Sequence, residues 1–166
     1  MSEINTIALF VDMTLRAWDI QNAQLRKLTD TWPAETWARE VAPGRNTGSY
    51  LLGHLISVSD GMLPLLGFQD RLYPEMEAVF LRSPDRSGHS FPEHEELKSR
   101  LITVTDRLAH HFRSLAAADW LDRHMAVSPE DFAREPHRNR LNLVMNRTAH
   151  MANHIGQLLL LSPGKE

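Results

Sequence analysis

Apolar residues recur along this chain at spacings of three, four and seven, the mark of helices with one buried side, and no stretch reads convincingly as a strand. The first such segment, about 4–28, carries Ile4, Ala8, Val11, Leu15, Trp18 and Leu25. Thr29-Asp30-Thr31 gives it a polar exit, and Pro33 lies beyond its end. The second, about 47–66, buries Leu51, Leu55, Val58, Met62 and Leu65. Asn46 or Thr47 is placed to cap it and Gly67 to stop it. The third opens at Ser90-Phe91-Pro92-Glu93, with capping-box spacing and Pro in the first turn. It continues through Leu97, Leu101, Val104, Leu108, Phe112 and Leu115 in a heptad-like seam. The fourth covers about 139–161 and ends at Ser162-Pro163-Gly164.

The connections give these helices an order. Residues 67–92 form a long stretch rich in Pro, Gly and Ser, with a helical turn around Glu75–Leu81. Asp119–His137 is a polar loop with Pro129 and Pro136 as breakers. The expected fold is all-α, a single four-helix-bundle domain over residues 1–166. The long crossover lets helices 2 and 3 run parallel, which predicts an up-down-down-up order.

Composition narrows the function. The 166 residues carry 18 Lys and Arg against 21 Asp and Glu, a formal charge of -3. Scattered, outnumbered cations do not neutralise a phosphate backbone, so no nucleic-acid partner is expected. No run approaches the ~20 apolar residues of a membrane span. Met1-Ser2-Glu3-Ile4-Asn5 lacks a basic n-region and an apolar run, so the expected address is cytoplasmic. With no cysteine, the chain offers no thiolate of its own, and sulfur chemistry would need a thiol from outside.

Among nine histidines, only His150 and His154 stand at i, i+4, where a helix puts both imidazoles on one face. They sit in one of the most apolar segments of the chain, where unpaired imidazoles need partners. A metal would satisfy both, and hydrogen bonds to neighbouring carbonyls would satisfy either. His54, in Tyr50-Leu51-Leu52-Gly53-His54-Leu55-Ile56, is the natural third ligand, although a lone histidine there is more often a satisfied core residue. His54 lies seven residues after Thr47 and His154 seven before Leu161. In antiparallel helices the two share a level, ~10 Å from one end of the bundle. The same arithmetic puts His111 ~15 Å away along the axis, as a core or end-of-bundle histidine. His89, His94, His110, His124 and His137 read as surface or loop residues. Three neutral imidazoles suit Zn, Ni, Fe or Cu and leave coordination positions open, as catalytic sites do.

With these residues in view, the chain resembles the DinB/YfiT-like superfamily of metal-dependent bundle proteins, which is unrelated to the DNA polymerase called DinB. The matching pieces are Asn46-Thr47-Gly48-Ser49-Tyr50-Leu51-Leu52-Gly53-His54-Leu55 and His150-Met151-Ala152-Asn153-His154-Ile155-Gly156-Gln157-Leu158, together with the order of the helices. The resemblance implies an up-down-down-up bundle, often dimeric, with a three-histidine site for nickel, zinc or a similar ion. It also implies thiol-dependent chemistry, since better understood relatives use bacillithiol or mycothiol in S-transferase or isomerase reactions. Some relatives have Glu at the position of His150, so this chain follows the all-histidine version.

Arg147 and Gln157 share the helix face of the two histidines. Arg147 is a candidate to hold an anionic group of a thiol or substrate, and Gln157 to orient a ligand, unless they serve as a surface ion pair and a polar cap. Trp18, Gln21 and Asn22 fall at the metal's level, Trp18 more naturally as core. Leu141, Met145, Ala152, Ile155 and Leu159 form a second apolar face on helix 4, which predicts burial in the bundle or in a homodimer. Three functions fit these residues. One is a metal enzyme activating a small thiol for transfer to an electrophile. Another is a metal hydrolase using bound water, for which no general base is evident because Asp60 stands nearly two turns from His54. The third is a non-catalytic metal-stabilised or ligand-binding bundle.

Overall fold

The computed structural model describes residues 5–162. It is all-helical, and four long helices, α1 (Thr6–Thr31), α3 (Gly48–Asp60), α6 (His94–Ser114) and α8 (Arg140–Leu158), supply most of the core. Ile4, Pro163 and Gly164, used above to bound the first and last helices, lie outside the described residues. Between the long helices come α2 (Ala34–Trp37), α4 (Met62–Leu65), α5 (Met76–Phe80) and α7 (Pro129–Arg134). No helix among the described residues is long and apolar enough to cross a membrane.

Capping sets most of the boundaries. Asn5 accepts from the Ala8 amide (3.1 Å) and opens α1. The expected polar exit at Thr29–Thr31 stays helical, with the Thr29 and Thr31 hydroxyls bonded back to the carbonyls of Arg26 and Lys27. The helix ends where Pro33 pushes Trp32 to extended geometry. Thr47, one of the two expected caps, accepts from the Tyr50 amide (3.2 Å) and opens α3.

Three expectations are corrected. Helix 2 does not run unbroken to Leu66: it stops at Asp60, and α4 follows Gly61. Pro64 is the reason, since it has no N–H for the Asp60 carbonyl four residues before it; Arg71 then fills the space beside Gly61 and donates to the Ser57 carbonyl (2.9 Å). Ser90 does not cap the third helix, which begins at His94. Phe91 is instead drawn into an aromatic cluster with Tyr50 and Phe80, holding the chain ahead of the helix extended. Pro129 starts α7 rather than breaking structure, occupying its first turn behind the Ser128 cap (3.1 Å to the Asp131 amide).

The seam of α6 is as the spacing predicts, with Leu97, Leu101, Val104, Leu108 and Phe112 buried. Phe112 meets Trp18 of α1 and Trp120 edge-on. α1 packs on α8 and α6, and α3 packs on α6 and α8. The second apolar face of α8 divides: Leu141 and Ile155 are buried, whereas Met145 and Leu159 are exposed. Asp60, fully buried, accepts from the amides of Leu72 (2.8 Å) and Tyr73 (3.1 Å) and ties the crossover down. That crossover carries α5, which delivers the Phe80 carbonyl to the site described next.

Candidate metal centre

The structure brings His54, His150 and His154 together between α3 and α8, with one ring nitrogen from each inside a 4.8 Å sphere of mutual distances. His150 and His154 are one turn apart on α8, so their rings meet by helix geometry alone. His54 faces them from α3, where Leu51, Leu52, Leu55 and Ile56 are buried and fix which side of the helix it occupies. His150 Nε2 lies 3.3 Å from His54 Nε2 and 3.2 Å from His154 Nε2.

Hydrogen bonds settle which nitrogens face inward. His54 Nδ1 donates to the Phe80 carbonyl (2.9 Å), and His154 Nδ1 donates to Gln157 Oε1 (2.8 Å). Each neutral ring therefore turns its Nε2 lone pair towards His150. His150 Nε2 can donate to only one of them, and its Nδ1 is buried with no partner. Three Nε2 atoms converging on one point with at most one proton among them leave a lone pair unpaired, and a cation can satisfy all three. Nitrogens at these separations match ligands about 2.0–2.1 Å from a common ion at roughly tetrahedral angles. The cluster could thus hold a divalent transition metal, with His54 and His154 each braced by an outer hydrogen bond.

The electrostatics favour the neutral form of His54 and His150. His150 is lowered to about 4 by burial, then by His154, His54 and Arg147. Burial also lowers His54, outweighing its bond to the Phe80 carbonyl, and His154 and Arg147 add to the effect. Both shifts mean that the unfolded chain takes up protons first. The stability of metal-free protein is therefore full above the ordinary histidine value of 6.5 and falls as pH drops towards about 4. Denaturant titrations of chelated protein at successive pH values check this, and His150→Gln is expected to flatten the slope.

Arg147 is half-buried, has no ion-pair partner among the described residues, and leaves its Nε buried and unbonded. Burial lowers its pKa, and its charge is felt at His54, His150 and His124. Gln157 braces His154 by accepting from its Nδ1. Trp18 and Asn22 do not reach the cluster: they line a separate cavity between α1 and α6, with Asp19, Arg26, Thr105 and Asp106.

Of the other histidines, one departs from the sequence reading. His94 is not a surface residue but stacks on Trp37 (5.3 Å between centroids), and His124 is half-buried on the Arg147 side. His111 stands apart, stacked on Phe68 (4.6 Å) and bonded to Gln69 Oε1 (3.2 Å). The Phe80 carbonyl and the Val41–Asn46 loop were missed. A backbone acceptor carries no residue type to read, and loop 41–46 reaches the site only because its cleft includes His154 and Gln157.

No curated protein matches the chain significantly. Residues 17–158, most of the chain, match the sequence profile of the DinB superfamily, and the chain belongs to that superfamily.

Proposed function

We propose that this protein is a metal-dependent enzyme that activates a small-molecule thiol for transfer to an electrophile, in S-transferase or isomerase fashion, with His54, His150 and His154 as ligands to Ni or Zn. The observation that carries the reading is an unpaired, half-buried guanidinium, Arg147, beside three converging imidazole nitrogens. A cation held away from water without a counter-charge is costly, so the site calls for an anionic ligand. A divalent transition ion bound here would supply the Lewis acidity that turns a thiol into a thiolate near neutral pH. Arg147 would hold the thiol's carboxylate, and Gln157 would fix the His154 ring. The chain has no cysteine to compete as nucleophile. A hydrolytic reading lacks a base, because Asp60 spends both carboxylate oxygens on backbone amides.

The test loads the protein with zinc or nickel and assays bacillithiol, mycothiol and simpler thiols with monochlorobimane. Acceleration of roughly tenfold or more over thiol alone, lost in Arg147→Gln, is expected. Metal-loaded protein that accelerates none of them would overturn the thiol reading.

The up-down-down-up order is part of the same proposal. It is supported by Arg26 of α1 meeting Asp106 of α6 while Asp30 meets Lys98, an antiparallel pairing. Tyr50 beside Phe91 and Phe68 beside Phe112 favour α3 and α6 running parallel. A homodimer is also proposed. Phe10, Met13 and Met145 are more than half exposed around a groove of about 490 Å³ floored by Ala17, Ala149 and Ala152. Protruding and small apolar residues on one face suit a two-fold contact. Light scattering at micromolar concentration is expected to give a dimer and Met145→Glu a monomer; a monomeric wild type would end this proposal.

A further inference from the structure

We infer that the cleft between loop 41–46 and the C-terminal turn of α8 is a second small-molecule subsite, which takes an anionic group on Arg45 while the rest of the ligand extends to His154. The inference rests on the proposed metal centre for what the ligand would meet at its inner end. The cleft has a volume of about 560 Å³, and Val41, Arg45, Asn46, His154, Gln157 and Leu160 are among its walls. One wall therefore contains a candidate metal ligand, and a molecule filling the cleft touches the site from the side opposite Arg147. Arg147 lies two turns before His154 on α8, about 10 Å along the axis, whereas Gln157 and Leu160 follow it.

The polar atoms of the cleft favour an acceptor ligand. No carboxylate is among its walls. Arg45 is exposed and has no ion-pair partner among the described residues, while its neighbour Glu40 is engaged by Arg86. Gln157 Oε1 accepts from His154 Nδ1, and the two N–H donors of the same amide are left for a ligand. One guanidinium and a donating amide, with apolar walls between, match a carboxylate on a short hydrocarbon body.

The loop that presents Arg45 is built rather than slack. Val41 and Asn46 close it (3.0 Å), Arg45 N donates to the Ala42 carbonyl (2.9 Å), and Gly44 turns it at a φ of 72°. Glu40 accepts from the Gly44 amide (2.7 Å), and Arg86 bonds both Glu40 and the Arg45 carbonyl (3.2 Å). A guanidinium on a fastened turn loses less freedom on binding than one on a mobile loop. Arg147 and Arg45 then flank the histidines, one cation for each partner of a two-substrate reaction.

The experiment titrates butyrate, with butan-1-ol as the uncharged control, into the protein before and after zinc is added, and follows backbone and side-chain amide shifts. Butyrate is expected to move Gly44, Arg45, Asn46 and the Gln157 side-chain amide, butanol to leave them, and Arg45→Gln to weaken butyrate by about tenfold. Shifts elsewhere, or shifts unchanged in Arg45→Gln, overturn the subsite, as does a charge preference lost only in Arg147→Gln. Failure of zinc to bind would count against the metal centre instead, and the butyrate response of the zinc-free protein would still decide the cleft.

Discussion

His150→Ala is expected to weaken zinc or nickel binding on the order of a hundredfold or more while leaving the helical circular-dichroism spectrum unchanged. His150 is the middle ligand, with its Nε2 3.2–3.3 Å from those of both partners. Removing it leaves two braced imidazoles that a transition ion can share only weakly. The bundle should survive, because its core is apolar and is closed without the metal. Leu51, Leu52, Leu55, Ile56, Leu97, Leu101, Val104 and Leu158 are all essentially inaccessible, and each contributes roughly 1.5–3 kcal/mol by burial. In metal-free protein the substitution also removes the orphaned Nδ1, so the chelated variant should melt close to chelated wild type. The difference appears on adding metal. At a zinc concentration of about 100 times the wild-type Kd, wild type gains about 2.7 kcal/mol, and the variant gains almost nothing. Calorimetric titration and thermal melts with and without chelator read both effects. An unfolded variant would make the metal structural, and an unchanged affinity would place it elsewhere.

The histidine triad was legible for a physical reason. Helix geometry turns sequence spacing into position, so His150 and His154 had to share a face, and the distances of His54 and His154 from their helix ends had to put them at one level. The same logic found the α6 seam and the Thr47 cap. It failed where position depends on what a residue meets far along the chain. Phe91 delays the third helix because Tyr50 and Phe80 claim its ring, whereas the break in the second was there to be read in Pro64. His94 reads as a surface residue until Trp37 is seen to lie against it. The supports of the metal centre were the least legible, since the Phe80 carbonyl could come from any residue type. Proximity also follows fold rather than level alone: Trp18 and Asn22 stand at the right height but face α6.

Gly53→Ala is expected to damage both stability and the metal centre, although alanine is the better helix former. A Cβ at position 53 would stand 2.3 Å from Cε1 of Phe80 and 2.4 Å from Cζ, well inside contact distance. Phe80 cannot simply swing aside, for it is buried and packed against Tyr50 and Phe91. Overpacking of this kind costs about 1–3 kcal/mol, against a helix-propensity gain of up to about 1 kcal/mol, so a net loss follows. The chain relieves the clash by moving α5 away from α3, which lengthens the 2.9 Å bond from His54 Nδ1 to the Phe80 carbonyl. His54 then loses the brace that aims its Nε2, and metal affinity should fall roughly tenfold although no ligand has changed. Denaturant melts and zinc titration of Gly53→Ala, alone and with Phe80→Leu, separate the two routes. The double variant should recover zinc affinity, because a smaller side chain lets the backbone of α5 return to His54. A single variant as stable as wild type, with unchanged affinity, would mean that the ring yields without moving the backbone and that the glycine is not what holds α5 against the site.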